Sequence, residues 1–382
     1  MSAVRIPITE LQPGMYVLNP GSSWLKDPLI YMNEGVVTDQ AQIRAIIQQG
    51  FVEVFHDPER AVHVYEPVDI LSPEFARDLQ QAKKTHAMAY DQVKVIMTSG
   101  ELDSIELDKI EPCVRSIVDS INTNANAMFT LAHLNDYDEY TFKHSVNVAV
   151  FAISFARFLG LTEQQQQYAG MIGLLHDYGK ALVPKEILTA PRSLSAAEFT
   201  IMRSHVVLGY EALRQLAGIS PEILEGILQH HEKHDGSGYP FHLKDTAIGI
   251  FGRIISICDV YDALSSRRVY KAPICPSHLL GTMYKMTGAA WPRGFVDGFI
   301  RMVGIYPVGT AILLSDGRVG IVSHCDPDFP SQPTIATINK IGEAVYKDAT
   351  VDLKEQGNIS VVRALTSKEM KEWNILQILG IA

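Results

Sequence analysis

Five histidines stand in apolar company. His144, His176, His205, His230 and His231 fall within, or at the ends of, stretches whose spacing reads as amphipathic helix. Any one alone reads most simply as a buried histidine satisfied by a backbone carbonyl. Together they require a fold in which helices from distant parts of the chain converge, as in a bundle core. Asp177 follows His176 at a helix terminus, where both side chains can turn inward and one carboxylate can bridge two cations. Asp259 lies among Ile254, Ile255, Ile257 and Val260, where an unpaired carboxylate is costly, so a metal or a buried ion pair must account for it. Asp262 lies three residues on, over a similar face, where it can support a ligand. Imidazole with carboxylate suits divalent first-row metals. Two such ions can clamp an in-line phosphoryl displacement.

Helix punctuation sets the surrounding architecture. The helix holding His144 is expected to end at Gly160, and Thr162 to cap the next, which ends at His176-Asp177. Ser195-Ala196-Ala197-Glu198 is a capping box opening the helix that carries His205. Ser220-Pro221 opens the helix that ends at His230-His231, and Ile248 to Ser265 is a further helix bearing Asp259. Residues 1 to about 65 are mixed: Val4 to Ile8 and Phe51 to Phe55 read as strands, Thr38 to Gln49 as a helix ended by Gly50. Ser72 to Ala125 reads as one long connecting helix or as a pair broken near Ser99-Gly100. After Tyr306-Pro307 two strands flank the Asp316-Gly317 turn, with further strands at Thr334–Ile338 and Ile359–Val362. The expected fold is mostly α: a helical-bundle domain over 126–304, a small mixed α/β N-terminal domain with connecting helices over 1–125, and a short β appendage over 305–382.

Composition narrows the partners. The net charge of -10 argues against a DNA or RNA polymer. It does not exclude a small anion, because bound cations reverse the local field. Cys113, Cys258, Cys275 and Cys325 form no CxxC pair, which fits a reducing compartment. The first residues carry no basic-then-apolar leader pattern. The most apolar stretch, Val146 to Leu161, is interrupted by Asn147, Ser154 and Arg157. A cytoplasmic protein without membrane insertion is the expectation.

Two strings carry a resemblance. His176-Asp177-Tyr178-Gly179-Lys180 and His230-His231-Glu232-Lys233-His234-Asp235-Gly236-Ser237-Gly238-Tyr239-Pro240 resemble the HD-GYP family, a branch of the HD-domain metal-dependent phosphohydrolases. His144-Ser145-Val146-Asn147 and Asp259-Val260-Tyr261-Asp262, followed by Arg268, Tyr270 and Lys271, support it. The likeness covers about 140 to 304, and residues 1 to 125 resemble an N-terminal domain often fused to this family. The resemblance implies an all-helical catalytic domain that opens cyclic di-GMP to pGpG, and often on to GMP, by a metal-bridging hydroxide. It implies iron or manganese, with nickel, cobalt or other divalent ions as alternatives. His144, His176, Asp177, His205, His230, His231 and Asp259 match the ligand positions. Lys180 matches a catalytic residue at the scissile phosphate, and Arg268 and Lys271 match phosphate contacts. Gly238 and Tyr239 match the loop lining the substrate pocket.

Some family members carry a third-metal glutamate four residues before the first histidine. That position is Tyr140 here, and Glu139 is one residue out of register, about 100° away on a helix. Two metals are therefore expected. Val269 replaces a frequent proline and leaves Arg268 and Lys271 in register. The motifs leave open a preference for another cyclic dinucleotide such as 3′3′-cGAMP. A catalytically silent binding module is a further alternative, disfavoured because each ligand and Lys180 is present. A homodimer through the N-terminal domain and protein partners at the Gly-Tyr-Pro loop are compatible with the reading.

Overall fold

The structure is a computed structural model that describes residues 4–12, 15–19, 29–31, 33–37, 40–58, 73–99, 107–134, 140–265, 276–341 and 344–379. The chain divides into two compact units, 1–70 with 339–348 and 71–338 with 349–382.

The first unit holds β1 (Val4–Pro7), β2 (Tyr16–Val17), β3 (Ile30–Tyr31), β4 (Gly35–Val36), α1 (Gln40–Gln48) and β5 (Glu53–Asp57). Strand β5 pairs antiparallel with β1 and β2 and parallel with β3, and β2 pairs with β4. Val17, Val37, Ile43, Ile46 and Val54 form its core. The expected β1, α1 and β5 are present. The two-residue strands β2 to β4 are too short to show an alternation in sequence.

In the second unit, α2 (Pro73–Ser99) and α3 (Leu107–Leu134) are separate helices, which decides for the pair. Helix α4 (Tyr140–Phe158) is buried almost all round, from Val146 through Ile153. It is therefore a central helix rather than an amphipathic one. It packs against α2, α3 and α5 (Glu163–Leu175). Thr162 caps α5: its hydroxyl accepts from Gln165 N at 3.3 Å, while Gln165 Oε1 accepts from Thr162 N at 3.0 Å. Gly173 lets α4 and α5 close up, since a Cβ there would lie 2.5 Å from Ala149 Cα.

A 3-10 turn (Tyr178–Leu182) and the short α6 (Lys185–Leu188) lead to α7 (Ala196–Arg203), opened by the expected capping box on Ser195. The helix expected to run through His205 instead breaks at Ser204, and α8 (His205–Leu213) begins at the histidine. Both the Ser204 N–H and its hydroxyl donate to Ile201 O, a three-residue turn in place of the α-helical ladder. Ser220 caps α9 (Pro221–Gln229), and α10 (Ile250–Ser265), α11 (Pro276–Lys285) and α12 (Arg293–Val303) follow.

The C-terminal strands β6 (Ala311–Leu314), β7 (Val319–His324), β8 (Thr334–Ile341), β9 (Ala344–Asp352) and β10 (Val361–Ala364) lie in the order β10-β6-β7-β8-β9. Strands β6 and β7 are antiparallel around Gly317, whose φ is +87°. Strand β9 and the closing helices α13 (Ser367–Glu372) and α14 (Ile375–Ile378) go beyond the sequence expectation. The fold is mostly helical, with a small β-containing N-terminal region and C-terminal strands, as expected. No helix among the described residues is long and apolar enough to cross a membrane.

Candidate metal centre

Helix termini deliver most of the expected ligands. His144 lies in the first turns of α4. His176 and Asp177 follow the last residue of α5, His205 opens α8, His230 and His231 follow α9, and Asp259 lies within α10. These seven side chains meet in two groups. Asp177, His205, His230 and His231 each offer an atom within 4.8 Å of the others, and so do His144, His176 and Asp259. Asp177 joins the groups. Its Oδ1 is 3.5 Å from His205 Nε2, and its Oδ2 is 3.3 Å from His176 Nε2 and 3.8 Å from His144 Nε2. Asp259 Oδ1 lies 3.1 Å from His144 Nε2, and its Oδ2 lies 3.8 Å from His231 Nδ1.

The backbone sets the imidazole tautomers. His176 Nδ1–H donates to Gly173 O (2.9 Å), His205 Nδ1–H to Met202 O (2.8 Å) and His230 Nδ1–H to Ile227 O (2.5 Å). A carbonyl only accepts, so each Nδ1 carries a proton, and the neutral ring presents its lone pair at Nε2. Those three Nε2 atoms and Asp177 Oδ1 are buried without a hydrogen-bond partner. Four orphaned acceptors in one buried cluster are expensive in a folded protein unless cations satisfy them. The residues present thus fit a divalent metal centre.

Electrostatics agree for His205, His230 and His231. Burial pushes His230 well below its ordinary pKa, with His231 and His176 adding to the effect. Burial also brings His231 down to about 3 and lowers His205. Neutral imidazole is the ligating form. Burial opposes charge on His144, but Asp259 and Asp262 outweigh it and raise its pKa to about 10. Burial likewise opposes the Asp177 carboxylate, yet His176 and Lys180 hold it well below the usual range. The Lys180 ammonium lies 2.6 Å from Asp177 Oδ2 at the edge of the cluster.

Sequence reasoning placed Asp262 as a support of a ligand but missed Gly179, Asn147 and Glu232. Gly179 presses the 178–182 turn onto α8: a Cβ there would lie 1.8 Å from His205 O. Asn147 Nδ2 donates to Asp262 Oδ1 (2.9 Å), while Asp262 Oδ2 accepts from His144 Nδ1 (2.7 Å). Buried Glu232 accepts from Phe241 N (2.6 Å) and Leu243 N (3.0 Å), and so shapes the Gly-Tyr-Pro loop. A Cβ on Gly238 would lie 2.3 Å from Lys233 N, so the absent side chain makes room for the chain itself. The Tyr239 ring lies 4.8 Å from the His231 ring, and the Arg203 guanidinium sits 4.9 Å from the Tyr239 ring. The sequence signal for Glu232 is its charge inside the double-histidine motif, and Gly179 lies inside the His-Asp motif. The expected phosphate contacts Arg268 and Lys271 lie outside the described residues, as do Glu139 and the side chain of Tyr140.

Comparison with known proteins gives this arrangement a class. The HD domain family model matches residues 130–291, a domain of unknown function matches 3–125, and a KOW domain associated with HD domain matches 311–373. A cyclic di-GMP phosphodiesterase of Pseudomonas aeruginosa is 32% identical over 83% of this chain and 81% of its own length. A 3′3′-cGAMP-specific phosphodiesterase of Vibrio cholerae is 31% identical over 62% of this chain, which spans 48% of that relative. The solved structure of an HDG"Y"P protein from Bdellovibrio bacteriovorus shares the fold, with a TM-score of 0.50 at 14% identity over 78% of this chain and 98% of that one. The chain belongs to the HD-GYP family of HD-domain proteins.

Proposed function

We propose that this protein is a metal-dependent phosphodiesterase that opens cyclic di-GMP to pGpG. The observation carrying the reading is the pair of ligand groups joined by the two oxygens of Asp177. Two divalent ions, iron or manganese, are the cofactors proposed for it, held by His144, His176 and Asp259 on one side and by His205, His230 and His231 on the other. Bound there, such ions supply a water of lowered pKa and Lewis-acid stabilisation of the phosphoryl oxygens. The backbone carbonyls of Gly173, Met202 and Ile227 hold the imidazoles in the ligating tautomer. The Lys180 ammonium, part-exposed beside Asp177, supplies positive charge to the scissile phosphate. Tyr239 and Gly238 form a wall of the substrate site beside His231. Arg268 and Lys271 are proposed as phosphate contacts, a role the family motif supports.

The proposed organisation is a catalytic domain over 126–304, flanked by a regulatory or interaction domain over 1–125 and a β-rich appendage over 305–382. A cytoplasmic setting fits a nucleotide substrate. The test is product analysis by anion-exchange chromatography with cyclic di-GMP and 3′3′-cGAMP, after anaerobic loading with iron or manganese. Linear pGpG from cyclic di-GMP supports the reading. Turnover of 3′3′-cGAMP alone would move the substrate to the second dinucleotide. Turnover of neither would leave a binding module.

A further inference from the structure

We infer that His86, on α2, is a positioning residue of the metal centre, acting on His144 through Asn147 and Asp262. The inference rests on the cluster being a metal site. His86 belongs to the segment matched by the domain of unknown function, outside the HD match. Its sequence surroundings give no hint of a ligand role; the structure shows a continuous buried chain of hydrogen bonds. His86 Nε2 lies 3.1 Å from Asn147 Oδ1, Asn147 Nδ2 lies 2.9 Å from Asp262 Oδ1, and Asp262 Oδ2 lies 2.7 Å from His144 Nδ1. His144 Nε2 then faces Asp259 and Asp177. His86, Asn147, His144 and Asp262 are 7%, 4%, 5% and 0% exposed, so water does not substitute for any link.

Donor and acceptor roles along this chain are forced. An ionised carboxylate only accepts, so Asp262 requires the amide NH2 of Asn147 and the Nδ1–H of His144. That fixes the Asn147 oxygen toward His86, and His86 must then carry its proton on Nε2. In the other direction, the His86 N–H holds the Asn147 amide by its oxygen, together with the Ala132 carbonyl, which accepts from Asn147 Nδ2 at 3.3 Å. A flipped amide would turn its oxygen on the Asp262 carboxylate. Asp262 in turn holds the His144 ring with Nε2 as the metal-facing atom, the arrangement that raises ligand basicity. Packing between α2 and α4 needs no such network, since the Leu79, Ala82, Ala89 and Val93 side chains of α2 already lie in the core. The buried polar chain therefore makes α2 a support of the metal centre.

The experiment uses the full chain. Mn2+ affinity and stoichiometry are measured by calorimetric titration of the metal-stripped protein, with its thermal midpoint as the folding control, for the parent, H86L, H86Q and H86N. A glutamine amide can donate from nearly the place of the imidazole Nε2, whereas asparagine falls short and leucine donates nothing. H86L and H86N should weaken Mn2+ binding about tenfold and H86Q by no more than about twofold, with the metal-free thermal midpoints not following that order. Adding H86L to N147L should cost no further affinity, because His86 acts only through Asn147. Parent-like affinity in H86L and H86N overturns the inference, as does equal weakening in H86Q and H86N. If H86L does not fold, the contrast between H86Q and H86N decides alone. A parent that binds no Mn2+ sinks the metal reading and this inference together; a parent that binds normally beside unchanged variants sinks only the inference.

Discussion

Gly179→Ala isolates the steric basis of the site. The added methyl would lie 1.8 Å from His205 O and 2.6 Å from Gly209 N, and both neighbours are backbone. Side-chain rotation cannot relieve such a clash. Ordinary contact requires the 178–182 turn and α8 to part by roughly 1.5 Å. Accommodation of an extra methyl in a packed interior costs about 1–3 kcal/mol even where side chains can move. Parting the elements carries His205 away from Asp177, whose Oδ1 is now 3.5 Å from His205 Nε2. Metal–ligand distances tolerate only about 0.2 Å, so the group of Asp177, His205, His230 and His231 should lose its ion. The assay is metal content by mass spectrometry after Mn2+ loading, alongside cyclic di-GMP hydrolysis. Gly281→Ala, where an added Cβ meets nothing within 4 Å, is the control. Gly179→Ala should lose about one equivalent of metal and about 100-fold in kcat, while circular dichroism still reports the helices. Parent-like metal content and turnover would refute the steric reasoning.

Further outcomes follow from individual side chains. His176→Ala and Asp177→Ala should abolish both metal loading and hydrolysis, checked by metal analysis and product chromatography on the same samples. Lys180→Ala should keep its metal and lose about 100-fold in kcat; full turnover would remove the lysine from the chemistry. Glu198 receives two bonds from Arg192 and one from Ser195 N, interactions that hold its pKa below the usual 4.5. Its contribution to stability is thus present above about pH 4.5 and fades as pH falls through the folded-state value. Urea midpoints should show a shallower acid decline in Glu198→Gln than in the parent.

The helices are legible in the sequence where punctuation is local. Thr162, Ser195 and Ser220 each cap the helix their sequence context indicates. The converging imidazoles are legible too, because a ring nitrogen in an apolar periodic stretch must find a partner inside the fold, and five such positions can share one. What sequence does not show depends on partners far apart in the chain. Asn147 and Asp262 are separated by 115 residues and His86 and Asn147 by 61, and nothing local marks either pair. The facing glycines Gly179 and Gly209 are invisible for the same reason, since their meaning is a close backbone approach. The Ser204 break is hidden because the capping box continues smoothly into apolar residues, while the serine hydroxyl takes the Ile201 carbonyl. Strand β9 carries Lys347 and Asp348 mid-strand, which blurs its alternation.

Anomalous scattering from crystals of the Mn2+-loaded protein tests the metal centre most directly. The expected map shows two peaks about 3.5–4 Å apart, one on each side of the Asp177 carboxylate, with Asp259 and His144 at one and the His230-His231 corner at the other. A loaded crystal whose manganese lies away from Asp177, or whose Asp259 stands clear of every peak, would contradict it.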